Sequence, residues 1–80
     1  MTLFDLIDVW MGEQTDFVYV VKETSTGEGI IIVNFRNRYI KMRLLLIKKD
    51  YVETAIGKLY ASNPKFFSLL RKRIIKALRE

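Results

Sequence analysis

The sequence predicts a single α+β domain in the order α-β-β-β-α-α, with a three-stranded antiparallel meander packed on helices. Three observations point there. Apolar residues recur at helical spacing near both ends of the chain, which is the signature of helices that bury one face. Between them lie short runs rich in β-branched and aromatic residues, broken by a Gly-rich turn. Finally, 80 residues suffice for one domain, which would bury only about 60–65% of its unfolded surface.

The first helix is expected over residues 3–11. Thr2 and Asp5 have the spacing of an N-terminal cap, Leu3, Leu6, Ile7 and Trp10 share a face, and Gly12 is a plausible stop. Phe17 to Glu23 reads as the first strand, followed by a turn through Thr24 to Gly29. The next two strands, about 30–36 and 39–48, are set by a two-residue turn at Asn37-Arg38. Phe35 then faces Ile40, Val33 faces Met42 and Ile31 faces Leu44, so one side is wholly apolar. The other side pairs Arg36 with Tyr39, Asn34 with Lys41 and Ile32 with Arg43. A slip of one residue would mix the two sets.

Asp50 and Glu53 resemble a helix cap, and Val52, Ala55, Ile56, Leu59 and Tyr60 follow helical spacing after it. Ser62-Asn63-Pro64 closes that second helix and opens a third, which runs to about Arg79. On the third helix Phe66, Phe67, Leu70, Ile74, Ala77 and Leu78 share one face. Lys65, Lys72, Lys76 and Arg79 line the opposite one, with Arg71 and Arg73 on its flanks.

Composition narrows the function. The chain has no His and no Cys, which excludes zinc sites of the usual kinds, disulfides, thiol nucleophiles and a Ser-His-Asp triad. Gly27 and Gly29 are not followed by the Lys-Ser/Thr of a phosphate loop. Asp5 and Asp8 share a helix face and read as solvated acids before they read as cation ligands. The expectation is a protein that is not an enzyme and takes no cofactor or metal. Short apolar runs argue against a membrane span, and the start lacks a basic n-region, so the expected location is the cytoplasm.

Charge is sorted along the chain. Residues 1–28 hold six acids and one base, a net of −5, and residues 29–80 hold thirteen bases and three acids, a net of +10. Such a field steers an anionic partner toward one end. Two candidate nucleic-acid surfaces follow. One is the hairpin face with Arg36, Arg38, Tyr39, Lys41 and Arg43, where cations are interleaved with an aromatic ring. The other is the final helix face with Lys65, Lys72, Lys76 and Arg79. The plain alternative for both is a solvated polar surface.

Half the residues are hydrophobic, a large share for so small a core, so part of that surface is expected to meet another chain. Trp10 and Met11 on the first helix are candidates, with core as their plain alternative. Leu45 and Ile47 are candidates on the hairpin, together with Ile30 and Ile32, since none of these four belongs in water.

One Gln, nine Ile and abundant Lys, Arg and Glu lean toward a thermophilic source. In size, charge and surplus apolar surface the chain is similar to the short, His- and Cys-poor basic proteins of hyperthermophilic archaea and their viruses or plasmids. Among these it resembles the small accessory subunits of crenarchaeal B-family DNA polymerases. That resemblance covers the whole chain without a specific motif. It implies a role in DNA replication, binding a larger catalytic subunit without catalysis. Two functions are therefore carried forward. The first is an accessory subunit of a nucleic-acid-processing complex that docks on a larger protein and touches nucleic acid weakly and without sequence preference. The second is a stand-alone DNA- or RNA-binding protein, or a dimeric regulator.

Overall fold

Thr2 opens the first helix, α1 (Leu3–Glu13), with a complete capping box. Its hydroxyl accepts the Asp5 amide at 3.2 Å, and the Asp5 carboxylate accepts the Thr2 amide at 3.2 Å. The structure, a computed structural model, describes residues 1–37 and 42–80. The expected stop at Gly12 is corrected: the helix runs through it and closes where the Gln14 amide donates to the Met11 carbonyl. The buried face is Leu3, Phe4, Ile7 and Met11, whereas Leu6 and Val9 face outward.

Five strands follow, β1 (Phe17–Ser25), β2 (Glu28–Phe35), β3 (Arg43–Ile47), β4 (Tyr51–Thr54) and β5 (Gly57–Tyr60), and the chain ends in α2 (Phe66–Arg79). The strands form one antiparallel sheet in the order β1-β2-β3-β4-β5. The protein is thus a small α+β domain with two helices and five strands, not three of each. Both helices cover the same face of the sheet, α1 over β1 and β2, and α2 over β2, β3 and β5. Between them lies one core built from Phe4, Ile7 and Met11 of α1, Phe17, Ile31, Val33, Leu45, Ile47, Val52 and Leu59 of the sheet, and Phe66, Leu70, Ile74 and Leu78 of α2.

The expected helix over residues 51–60 is corrected to the β4–β5 hairpin. Val52 and Leu59 lie seven residues apart, which suits two helical turns as well as it suits two facing strand positions. The turn decides between them. Gly57 takes φ +119°, a conformation that favours glycine, and the Thr54 hydroxyl donates to the Gly57 carbonyl at 2.9 Å. Tyr51 then faces Tyr60, with ring centroids 5.3 Å apart.

The expected register of β2 against β3 is also corrected, by one residue. Ile31 faces Leu45 and Val33 faces Arg43, where the sequence reading had Leu44 and Met42. Leu44-Leu45-Leu46-Ile47 is apolar at every position, so alternation within β3 cannot choose a face. Its neighbours choose instead: Ile47 sits opposite Val52, and the core needs both. The pairs expected at Arg38, Tyr39, Ile40 and Lys41 lie outside the described residues.

The start of α2 matches the turn read from Asn63-Pro64, where the Asn63 side chain accepts the Lys65 amide at 2.9 Å. Every residue assigned to its apolar face is buried or half-buried. Among the described residues no helix is long and apolar enough to cross a membrane.

Candidate functional site

The fold gives the domain two unlike outer surfaces, with the sheet and its helices between them. On one side is the outward stripe of α2. Lys65, Lys72, Lys76 and Arg79 are all exposed, as expected. They lie along a helix that spans about 20 Å, and no acid interrupts the sequence from Lys65 to Arg79. Lys76 and Arg79 occupy its last turn, where cations also offset the helix dipole.

The flanking arginines are structural. Arg71 forms a two-pronged pair with Asp16, Nη2 to Oδ2 at 2.6 Å and Nη1 to Oδ1 at 3.2 Å. Its Nη1 also reaches the Gln14 side chain at 2.8 Å, and the guanidinium lies over the Phe17 ring. The hydrogen bond from Arg71 holds the Asp16 carboxyl below its ordinary value, and the same contact raises Arg71. Arg73 donates to the Lys58 carbonyl at 3.1 Å. These contacts pin α2 to the sheet and to the α1–β1 loop, so the exposed cations are carried on an anchored helix.

Of the expected hairpin cations the structure describes Arg36 and Arg43, and it does not place these two on one surface. Arg43 lies on the helix-covered face, half-buried, with its Nε on the Ala77 carbonyl at 2.9 Å. The one-residue register change put it there. Arg36 is exposed, and its Nε donates to the Thr15 carbonyl at 2.9 Å. It shares a shallow depression with Asn37, Asp16 and Arg79, so the structure joins Arg36 to the α2 stripe. Arg38, Tyr39 and Lys41 lie outside the described residues.

On the other side is the sheet face that no helix covers. It presents Val18, Val20 and Lys22 from β1, Ile30 and Ile32 from β2, and Leu44 and Leu46 from β3, with Met42 beside them. Val20 is 62% exposed and Leu44 and Met42 are each 50% exposed, which is unusual for side chains this apolar on one sheet face. The sequence reading placed Leu45 and Ile47 here. Both are in the core, and Leu44 and Leu46 take their places. Ile30 and Ile32 are on this face, as expected. Of the two helix candidates, Met11 is fully buried, and Trp10 is half-buried with its ring 5.3 Å from that of Phe67. Neither lies near the open face.

Val18, Val20, Met42 and Leu44 were missed as surface residues. A signal was present in β1, where Phe17-Val18-Tyr19-Val20-Val21 is apolar at both parities, the pattern of a strand covered on both sides. The acids of α1 are engaged locally. Asp5 completes the cap, and Asp8 accepts the Tyr19 hydroxyl through its carboxylate at 3.4 Å and its backbone carbonyl at 3.3 Å. Burial, followed by the nearby Asp8 charge, pushes the Tyr19 phenol above its ordinary value. No protein-family model, curated protein or solved structure matches the chain.

Proposed function

We propose that this chain is a non-catalytic binding protein of a nucleic-acid-processing complex. It docks on protein through the open sheet face and meets nucleic-acid phosphates with Lys72, Lys76 and Arg79 of α2, extended by Arg36. The observation that supports this reading is the placement of the two surfaces. Apolar side chains that water disfavours lie on one side of the sheet, and the cationic stripe of α2 lies on the other. A domain built this way can hold a protein and a polyanion at once, with neither competing for the same residues. An accessory subunit on a larger protein and a stand-alone dimeric binder both use these surfaces. They differ only in what covers the sheet.

Phosphate binding by exposed cations works by counterion release. Each phosphate neutralised steepens the fall of log K with log salt by about 0.9 on duplex and about 0.7 on single strands. Titrating labelled oligonucleotides at several salt concentrations tests the reading. Changing Lys72, Lys76 and Arg79 together to Gln should flatten the slope by up to about 2.7 units on duplex and leave the melting curve of the domain in place. Leu44→Lys on the open face should leave that slope unaltered. An absence of binding by the parent at low salt would remove nucleic acid from the proposal.

A further inference from the structure

The open sheet face carries its own description of what fits it. One row of outward side chains crosses all five strands in register, Lys22, Ile30, Leu46, Glu53 and Lys58. The next row is Val20, Ile32 and Leu44. Charges therefore sit toward the ends of the first row, apolar groups at its centre, and the centre falls between β2 and β3. Among the described residues neither Lys22 nor Glu53 has an ion-pair partner within the chain.

We infer that the open face packs on a second copy of this chain, sheet against sheet, about a two-fold axis running along the strands between β2 and β3. This rests on reading the open face as a protein-docking surface and names its occupant. The axis lays β2 on β3 of the second copy and β1 on its β4. Ile30 then meets Leu46 of the other copy, Ile32 meets Leu44, and each Lys22 meets a Glu53, so both the apolar groups and the charges are self-complementary. Val20 comes over the Ala55-Ile56 turn, which accounts for the outward Ile56 side chain, 49% exposed. Lys58 overhangs at the rim, where its ammonium rests 4.9 Å from the centre of the Tyr51 ring. Axes centred on β3 lack this fit, because they set Lys22 over Lys58.

The size of the face is adequate. The four overlapping strands, β1 to β4, about 4.8 Å apart and about five residues of ~3.3 Å long, make a footprint of about 320 Å². Side-chain relief adds to this flat projection, which places the interface in the small class, below ~1,200 Å² in total, as befits a dimer that forms over a range of concentration. Sheets pack face to face about 10 Å apart, a gap that Val, Ile and Leu from both sides fill. The dimer has four layers, helices outside and sheets within. It turns the two cationic α2 stripes to opposite outer surfaces, where one assembly can bridge two nucleic-acid segments.

Sedimentation of the full chain over a wide concentration range tests the inference. The parent should sediment as a dimer, and Leu44→Lys as a folded monomer. K22E and E53K alone each set like charges against one another and should weaken the dimer roughly tenfold. K22E/E53K together swap the pair and should restore it. A parent that stays monomeric, or a double variant no tighter than either single one, overturns the second copy. Those results leave the oligonucleotide titration to judge the α2 stripe on its own.

Discussion

Arg43 on β3 donates a hydrogen bond of 2.9 Å from Nε to the carbonyl of Ala77, in the last turn of α2. The final carbonyls of a helix have no partner within it, and here a strand supplies one together with a positive charge. Sheet and helix are tied at that end. Arg43→Leu keeps most of the side-chain volume and loses both effects. Chemical denaturation should show a loss of about 1–2 kcal/mol. Oligonucleotide binding should keep its full salt slope, because this guanidinium belongs to the fold. A reduced slope with unaltered stability would return Arg43 to the binding surface.

Two glycines should respond very differently to Ala. A methyl group on Gly29 would collide with the Phe4 ring and with the Lys22 carbonyl, since α1 presses its aromatic ring directly on the sheet backbone there. At Gly57 nothing lies within 4 Å, and the only obstacle is φ +119°. Gly57→Ala should cost about 1 kcal/mol of backbone strain. Gly29→Ala should cost about 2–4 kcal/mol, because α1 must lift or Phe4 must leave its place. Thermal melts of the two variants beside the parent give the order.

The ends of the chain and the first two strands were legible in the sequence, whereas the register of β3 and the β4–β5 hairpin were not, for physical reasons. Thr2 and Asp5 announce a cap through chemistry that works only at three-residue spacing, and Asn63-Pro64 acts as locally at α2. The strands depend on partners far along the chain. Val52 and Leu59 satisfy both helical and hairpin spacing until Gly57 and the edge of β3 select the hairpin. Leu44 to Ile47 offers no alternation from which to choose a face, so the register slipped by one and carried Arg43, Leu45 and Ile47 to the wrong side. The cationic stripe of α2 was readable because helical period alone sorts it. The open apolar face was visible only as a surplus of hydrophobic residues, since its membership depends on that same register.

Acid should weaken the tie between α2 and the α1–β1 loop. Arg71 holds the Asp16 carboxyl below its ordinary value, so the pair contributes stability above the unfolded-state value and loses it as pH falls through the lowered folded value. Both side chains are part exposed, 36% for Arg71 and 47% for Asp16, so solvent screens the pair to about 0.5–1 kcal/mol at most. Asp16→Asn should lower the denaturant midpoint slightly at neutral pH. That gap should close in acid below the carboxylate range, and narrow in high salt. A gap that persists unchanged in acid would assign the effect to the neutral hydrogen bonds of residue 16.

Tyr51 and Tyr60 report directly on the hairpin. As facing residues of β4 and β5 their rings lie 5.3 Å apart at 44°, a tilted contact of the kind aromatic pairs favour. Residues nine apart on a helix point in opposite directions and lie more than two turns away, so they would not meet. A double-mutant cycle with Tyr51→Ala and Tyr60→Ala should therefore give a coupling of about 0.5–1 kcal/mol. Both rings stand on the outer face, at the rim of the open surface, so the cycle must be run at protein concentrations low enough to keep the chain monomeric. At those concentrations the coupling reads the pairing of β4 with β5 alone. A value near zero would mean that the rings do not face each other and that residues 51–60 do not form this hairpin.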